Sequence, residues 1–200
     1  MPCTTLERRR IISAPRILLL PGLGNSDADH WQSRWEQAFP NFIRVDQDEW
    51  QTPAAASWVA RLNTVIQVSR CPTILVAHSL ACALVARWAL AHSGPIVAAL
   101  LVAPTDIDGP GSPAGPTGFV PMPLWRLPFR SVVVASTDDP YLSVARGRQF
   151  AEAWGAEYVL LGARGHIGSA ANLGHWEEGL AILDRLRNNV LKTDSSDLSG

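Results

Sequence analysis

The stretch TILVAHSLAC, residues 73–82, decides the fold of this chain. Its first five residues form an apolar run that predicts a buried strand, and the apolar sequence from Leu80 onward predicts a helix. Ser79 lies at the joint between these two elements, which is the position of the nucleophile in a strand–turn–helix elbow. Such a joint is tight, so the residues two before and two after the serine must be small. Here they are Ala77 and Ala81 rather than the usual glycines, and the weight of the motif therefore depends on the rest of the chain.

Strands and helices alternate along the sequence. Six apolar segments have the length of buried strands, at residues 16–21, 42–46, 73–77, 96–103, 131–136 and 158–161. Five segments have helical spacing, at residues 29–39, 54–69, 80–92, 143–154 and 176–190. Apolar strands separated by helices indicate a parallel sheet that is covered on both faces. We therefore predict an α/β fold with about six mostly parallel strands and helices on both faces.

Length and composition restrict the class of protein. Two hundred residues suit one domain, which we place at residues 15–191, between a flexible N-terminal arm at 1–14 and a polar C-terminal tail at 192–200. The net charge of −1 predicts no nucleic-acid partner, and no apolar segment approaches the ~20 residues of a membrane span. Cys3, Cys71 and Cys82 have no metal-binding spacing, so we expect idle thiols in a cytoplasmic protein that has no metal site and no cofactor.

Two aspartates follow the fifth predicted strand, where a serine nucleophile would require its acid. A serine hydroxyl needs a base to take its proton, and the base must be oriented by a third group. Asp139 is the preferred acid because Pro140 biases it toward an extended conformation that projects its side chain from the turn. Asp138 remains its competitor, and either aspartate could simply form the turn. Asp106 and Asp108 follow an earlier strand and are more remote candidates.

The candidate base is His166, in the loop after the last predicted strand. Gly165 and Gly168 allow the backbone there to turn sharply and to bring the imidazole over the sheet edge. His175 is the alternative, but its position at the start of the last helix suits capping or packing. His78 is adjacent to the nucleophile, and we expect it to point away from the nucleophile.

Backbone N–H groups at the sheet edge would form an oxyanion hole. One donor is the N–H of Leu80, and the other is that of Leu23, in the loop after the first strand. Gly22 and Gly24 give that loop its tight turns and are candidates for the substrate pocket. The same G-L-G resembles half of a dinucleotide fingerprint, but Asp27 occupies the place of the third glycine.

Residues 104–123 are rich in proline and glycine and have no period. A long irregular loop in a compact domain is usually functional or disordered. This loop is too short to form a helical cap, so we predict no large cap domain. Phe119, Met122, Leu124 and Trp125 are the candidates for an apolar wall of the substrate pocket; the alternative is a surface loop anchored by apolar residues.

Several further segments carry a family resemblance. They are DHWQSRW at 29–35, STDDPY at 136–141, WGAE at 154–157 and GHI at 165–167. With these motifs the chain resembles the small bacterial serine hydrolases related to retinoblastoma-binding protein nine, a compact α/β-hydrolase group. The resemblance implies an α/β-hydrolase fold and a triad of Ser79, Asp139 and His166, which agrees with the positions reached from the residues. The family commonly has glycine where this chain has Ala81, and some members are discussed as protein binders.

Two functions follow as expectations. The first is a serine hydrolase that cleaves a small carboxylic ester, or a thioester or amide, through an acyl-enzyme intermediate, with a small-molecule ester or acyl compound as substrate. The second is a protein-binding module with little or no catalysis on the same fold, for which a protein partner would replace the substrate.

Overall fold

The computed structural model describes the backbone of residues 15–196 and the side chains of residues 15–191. Six strands form one sheet in which every pairing is parallel, with the order β2-β1-β3-β4-β5-β6. The strands are β1 (Arg16–Leu20), β2 (Phe42–Arg44), β3 (Thr73–His78), β4 (Ile96–Val102), β5 (Arg130–Ala135) and β6 (Glu157–Leu160). The predicted parallel sheet is confirmed, and its strands lie where the apolar segments placed them.

Five α-helices cover the two faces of this sheet. They are α1 (Trp31–Ala38), α2 (Ala55–Gln67), α3 (Leu80–Ala91), α4 (Val144–Trp154) and α5 (Glu177–Ser196). Alternate side chains of a strand point to opposite faces, so Leu18 and Leu20 join one core while Ile17 and Leu19 join the other. The first core also contains the apolar sides of α2, α3 and α4, and the second contains those of α1 and α5.

The order of the strands determines where a ligand would bind. From β1 the chain moves outward to β2 and then returns to the other side of β1 to form β3. Open parallel sheets bind ligands outside the carboxyl ends of their strands, at the point where the order reverses. In this sheet that point lies between the ends of β1 and β3, which lead into the Gly22 loop and into Ser79.

The C-terminal end of the domain differs from the prediction. Helix α5 continues to Ser196, whereas we expected a polar tail from residue 192. The reason is local, because no glycine or proline interrupts the sequence between the predicted helix end and Gly200. The predicted arm at 1–14 and the last four residues of the tail lie outside the described residues.

The β4–β5 loop, residues 103–129, contains no helix, in agreement with the prediction that a large cap is lacking. Within residues 15–196, none of the helices is both long enough and apolar enough to cross a membrane.

Candidate active site

Ser79 lies on a strained turn between β3 and α3. Its φ of 59° and ψ of −125° are values that side chains other than glycine rarely adopt. The backbone N–H of Ser79 donates to the carbonyl of Val102, 2.9 Å away, which ties the turn to β4. Ala77 and Ala81 are fully buried on either side of the serine, so small residues occupy the two positions that the tight joint restricts.

Gly22 packs directly against this turn. A Cβ atom at that position would lie 2.7 Å from Ser79 Cβ and 3.0 Å from the carbonyl oxygen of His78. No side chain fits in that space without displacing the serine. The requirement for glycine here therefore comes from close approach rather than from backbone conformation.

The predicted serine, histidine and aspartate lie together at the carboxyl edge of the sheet. His166 Nε2 is 2.7 Å from Ser79 Oγ, and His166 Nδ1 is 2.9 Å from each carboxylate oxygen of Asp139. The Asp139 side chain has no exposed surface, and 19% of the His166 side chain is exposed. Because a carboxylate can only accept, Nδ1 carries the proton, and Nε2 is left to accept the hydrogen bond from the serine hydroxyl.

Asp139 is held in turn by the residues that follow it. Its Oδ1 accepts the backbone N–H of Tyr141 at 2.9 Å, as in an Asx turn. The ring of Tyr141 contacts the imidazole of His166 edge to face, with 4.8 Å between ring centroids. The segment after β5 therefore supplies both the carboxylate that binds the imidazole and the Tyr141 ring that restricts its rotation.

Asp138 fixes the loop that carries the histidine. This His loop, residues 162–168, donates the backbone N–H groups of Arg164 and Gly165 to Asp138 Oδ1, at 2.9 and 2.7 Å. The hydroxyl of Ser136 donates to the same oxygen at 2.6 Å. The Ser136 hydrogen bond foremost, and then that of Gly165, keep the pKa of Asp138 below its usual value. The two aspartates that the sequence left in competition thus have separate contacts, and His166 is paired with the second one.

His78 and Trp31 fix the other end of the His loop. His78 Nε2 donates to the carbonyl of His166 at 2.9 Å, and Trp31 Nε1 donates to that of Ile167 at 2.8 Å. Burial lowers the pKa of His78 far below its ordinary value, and the neighbouring His30 and His166 lower it further. The imidazole of His78 is therefore neutral, which suits a donor to one carbonyl. No pattern in the sequence predicts this contact, because the carbonyl acceptor lies 88 residues away along the chain.

His30 lies behind His78, with 4.7 Å between the ring centroids. It caps α1, because its Nδ1 accepts the backbone N–H of Gln32 at 3.1 Å. Asp27 precedes the helix and accepts the N–H of His30 and the hydroxyl of Ser169. Burial lowers the pKa of His30 to about 4. We find no group of three or more potential metal ligands among the residues that the structure describes.

Leu23 and Leu80, the predicted oxyanion-hole donors, adjoin the Ser79 turn, and their role stays a prediction. Leu80 is the first residue of α3, so its N–H has no acceptor within the helix. Leu23 follows Gly22, the residue that packs against Ser79. Gly24 has a φ of 77° and uses its N–H in a hydrogen bond to a neighbouring loop, so it shapes the turn and does not contribute a free donor.

Thr105 is a neighbour of Ser79 that sequence reasoning missed. Its Oγ1 lies 2.9 Å from Ser79 Oγ, and both residues are buried. The position of Thr105 after β4, the strand beside β3, was the available signal, because the ends of adjacent parallel strands meet at one edge. Asp106 and Asp108, the remote acid candidates, instead pair with Arg146. His175, the alternative base, accepts a hydrogen bond from a tryptophan through its backbone carbonyl.

The apolar candidates of the β4–β5 loop fall into two groups. Phe119 and Met122 are 2% and 4% exposed and belong to the core, where the Phe119 ring packs edge to face on Trp58. Trp125 is 68% exposed, and Leu124 is partly exposed. Solvent reaches Trp125 but hardly reaches Phe119 and Met122. Pro123 and Leu127, which flank Trp125, hydrogen-bond to Trp154, at the end of α4 that precedes β6. The segment that carries Trp125 therefore lies toward the amino edge of the sheet, and the structure does not bring this predicted pocket residue to the triad. A pocket of about 320 Å³ lies between residues 39–42, which follow α1, and α5, and none of the triad residues lines it.

Comparison with known proteins identifies the family of this chain. The fold and the arrangement at its sheet edge define the class of α/β-hydrolases. The family model described as serine hydrolase matches residues 17–185, and the chain belongs to that family.

Solved structures support the same fold. A protein described as a YdeN-like hydrolase, from Pectobacterium atrosepticum, has 31% sequence identity and a TM-score of 0.79; the match covers 87% of this chain and 91% of that one. The ydeN gene product of B. subtilis has 15% identity and a TM-score of 0.67, with 86% and 98% covered. A monoacylglycerol lipase from Paleococcus ferrophilus has 12% identity and a TM-score of 0.65, with 88% and 96% covered. No curated protein matches the chain at a significant level.

Proposed function

We propose that this serine hydrolase cleaves small carboxylic esters through an acyl-enzyme formed on Ser79. One observation carries the proposal: Ser79 Oγ lies 2.7 Å from His166 Nε2, and the other ring nitrogen, Nδ1, donates a hydrogen bond to Asp139. A nucleophile, a base and a group that orients the base are the parts that acyl transfer requires. Membership of the serine hydrolase family supports the same reaction class.

The acylation step uses these three side chains together. Ser79 Oγ attacks the ester carbonyl while its proton passes to His166 Nε2, and Asp139 stabilises the imidazolium that forms. The carbonyl electron pair moves onto oxygen, where the N–H groups of Leu23 and Leu80 would donate to it. When the tetrahedral intermediate collapses, the alcohol oxygen leaves with the proton from His166. The product of this step is an ester on Ser79.

Deacylation repeats these chemical steps with water as the nucleophile. His166 takes a proton from the attacking water, the acyl carbon becomes tetrahedral, and the bond to Ser79 Oγ then breaks. The proton returns from His166 to Oγ, and a carboxylic acid is released. Because the β4–β5 loop forms no helical cap, we expect an open site that favours short acyl groups over long ones.

A second candidate is the binding of a protein at the same loop. Val120 and Trp125 are 63% and 68% exposed, which leaves apolar surface on this loop. Binding at this surface would not depend on Ser79, so a partner retained equally by wild type and Ser79→Ala, together with no turnover of any ester, would favour it.

A cytoplasmic location completes the proposal. Cys71 is an exposed free thiol and Cys82 a buried one. Free thiols suit a reducing compartment.

A fluorophosphonate probe tests the hydrolase proposal. We expect wild type to take up one equivalent and to hydrolyse p-nitrophenyl acetate faster than the decanoate. The variant Ser79→Ala should neither label nor turn over, while the matched control Ser57→Ala, at an exposed helix position, should behave as wild type. Labelling of Ser79→Ala at the wild-type level would refute the assignment.

A further inference from the structure

We propose that Thr105 is a further catalytic residue, whose hydroxyl donates a hydrogen bond to Ser79 Oγ and stabilises the charge that develops on that oxygen. The inference rests on the proposed function, because it assigns a role within the same reaction. It starts from the 2.9 Å contact between Thr105 Oγ1 and Ser79 Oγ.

The direction of this hydrogen bond follows from the proton inventory of the site. The Asp139 carboxylate accepts from His166 Nδ1–H, so His166 Nε2 carries no proton and must accept. Ser79 has one hydroxyl proton, and it points to Nε2 at 2.7 Å. Toward Thr105, Ser79 Oγ therefore has no proton to donate and can offer only a lone pair. Thr105 is therefore the donor.

The fold holds Thr105 in place before any substrate arrives. It is 2% exposed and lies two residues after Ala103, which has a φ of 47° and bonds through its N–H to β5. The next residue, Asp106, donates its N–H to the carbonyl of Tyr141 at 3.0 Å, and its carboxylate pairs with Arg146 at 3.0 Å. A donor fixed on both sides needs no reorganisation when charge appears beside it, which is the condition for electrostatic catalysis.

The donor would act in both chemical steps. In acylation, negative charge develops on Ser79 Oγ as its proton moves to His166, and it passes to the carbonyl oxygen as the new bond to carbon forms. In deacylation, the carbon–Oγ bond breaks, its electron pair goes to Oγ, and Oγ then takes the proton from His166. A hydrogen bond to a charged oxygen is stronger than one to a neutral hydroxyl or to an ester oxygen. Thr105 therefore favours both transition states over the resting enzyme and over the acyl-enzyme.

Burst kinetics with p-nitrophenyl acetate test this role on the full chain. Thr105→Val has nearly the same shape as threonine and lacks the donor. We expect it to lower both the acylation rate and the deacylation rate about tenfold with little change in substrate binding. Thr105→Ser restores the donor and should stay within about threefold of wild type. Near-UV circular dichroism verifies the fold, and Thr105→Ala, which cannot overpack, replaces the valine variant if that variant is misfolded.

The outcomes separate this inference from the function on which it rests. Wild-type rates in a folded Thr105→Val would overturn the role of Thr105 while the loss of turnover in Ser79→Ala upheld the hydrolase. An equal slowing in Thr105→Ser and Thr105→Val would also overturn it, because the donor would then not be the cause. Turnover that persists in Ser79→Ala would refute the proposed function itself.

Discussion

Two loops border Ser79, and they are held in opposite ways. The His loop is short, and its backbone N–H and carbonyl groups bond to side chains from other elements, chiefly Asp138, His78 and Trp31. The β4–β5 loop is long and is held from outside by arginines and from beneath by apolar side chains. The first arrangement fixes one imidazole at a defined position, whereas the second fixes a surface.

The contacts of the β4–β5 loop show this difference. Arg87 donates to the carbonyls of Phe119 and Pro121, and Arg146 pairs with Asp106 and Asp108 at 3.0 and 2.9 Å. These bonds end on widely separated parts of the loop, and none of them reaches the triad. We therefore expect damage to the His loop to lower activity and damage to the β4–β5 loop beyond Thr105 to lower stability.

The largest expected effect on activity comes from Asp139→Asn. The amide can present its NH₂ to His166 Nδ1, which favours the wrong tautomer and leaves no base for Ser79. We expect kcat to fall about 10³- to 10⁴-fold, while the free energy of unfolding changes by only about 1 kcal/mol. Ester kinetics and urea denaturation measure the two quantities. A residual kcat above about a tenth of wild type would indicate that Asp139 does not orient the base.

Phe119→Ala should have the opposite profile. Removing a fully buried phenyl ring leaves a cavity against Trp58, and such changes cost about 3–5 kcal/mol of unfolding free energy. We expect kcat of the folded fraction to stay within about threefold of wild type. Trp125→Ala is the matched control in the same loop, and because Trp125 is exposed its stability should change by less than about 0.5 kcal/mol. Equal stability losses in the two variants would contradict the separation of core and surface.

The two loops also differ in how far the sequence predicts them. Strand order along the chain located the triad, because an acid and a base after late strands must meet the serine at one edge. Pro140 favours Asp139 over Asp138, but both follow the same strand, and only the fold shows that Asp138 holds the His loop while Asp139 pairs with His166. Contacts across the fold, such as Thr105 with Ser79, leave no local motif, and only the neighbouring positions of β3 and β4 in the sheet indicate this one. The burial of Phe119 is a further property of this kind, because the sequence alone does not distinguish the buried Phe119 from the exposed Trp125.

Acid should lower the free energy of unfolding through His30, which lies behind His78 in the part of the domain that supports the His loop. His30 has a pKa of about 4 in the folded protein and near 6.5 when unfolded, because burial disfavours its charged form. Between these values the unfolded chain binds a proton that the folded protein does not. Stability is therefore full above pH 6.5 and falls as the pH drops toward 4, by about 3 kcal/mol from this group.

Urea denaturation of wild type and His30→Asn at several pH values measures this contribution. Asparagine keeps an acceptor at the helix cap but does not titrate. The variant should therefore lack the part of the loss between pH 7 and 4 that comes from His30 and keep the part that comes from His78, whose pKa burial also lowers. His92→Asn, at the end of α3, is the control and should keep the wild-type dependence. The prediction is wrong if wild type and His30→Asn lose the same free energy over this range.

Asp138→Ala gives the smallest effect and the sharpest test of how the His loop is held. It removes the acceptor of two loop N–H groups without touching the triad, so we expect kcat to fall about tenfold with KM nearly unchanged. Asp138→Asn keeps an oxygen at that position and should recover most of the loss. Because its hydrogen bonds hold the pKa of Asp138 below the usual value, the carboxylate persists as the pH falls and is lost only as the pH passes through that lowered pKa. The ratio of wild-type to Asp138→Ala kcat should therefore stay constant between pH 8 and 5. A ratio near one throughout would mean that the His78 and Trp31 contacts position His166 without help from Asp138.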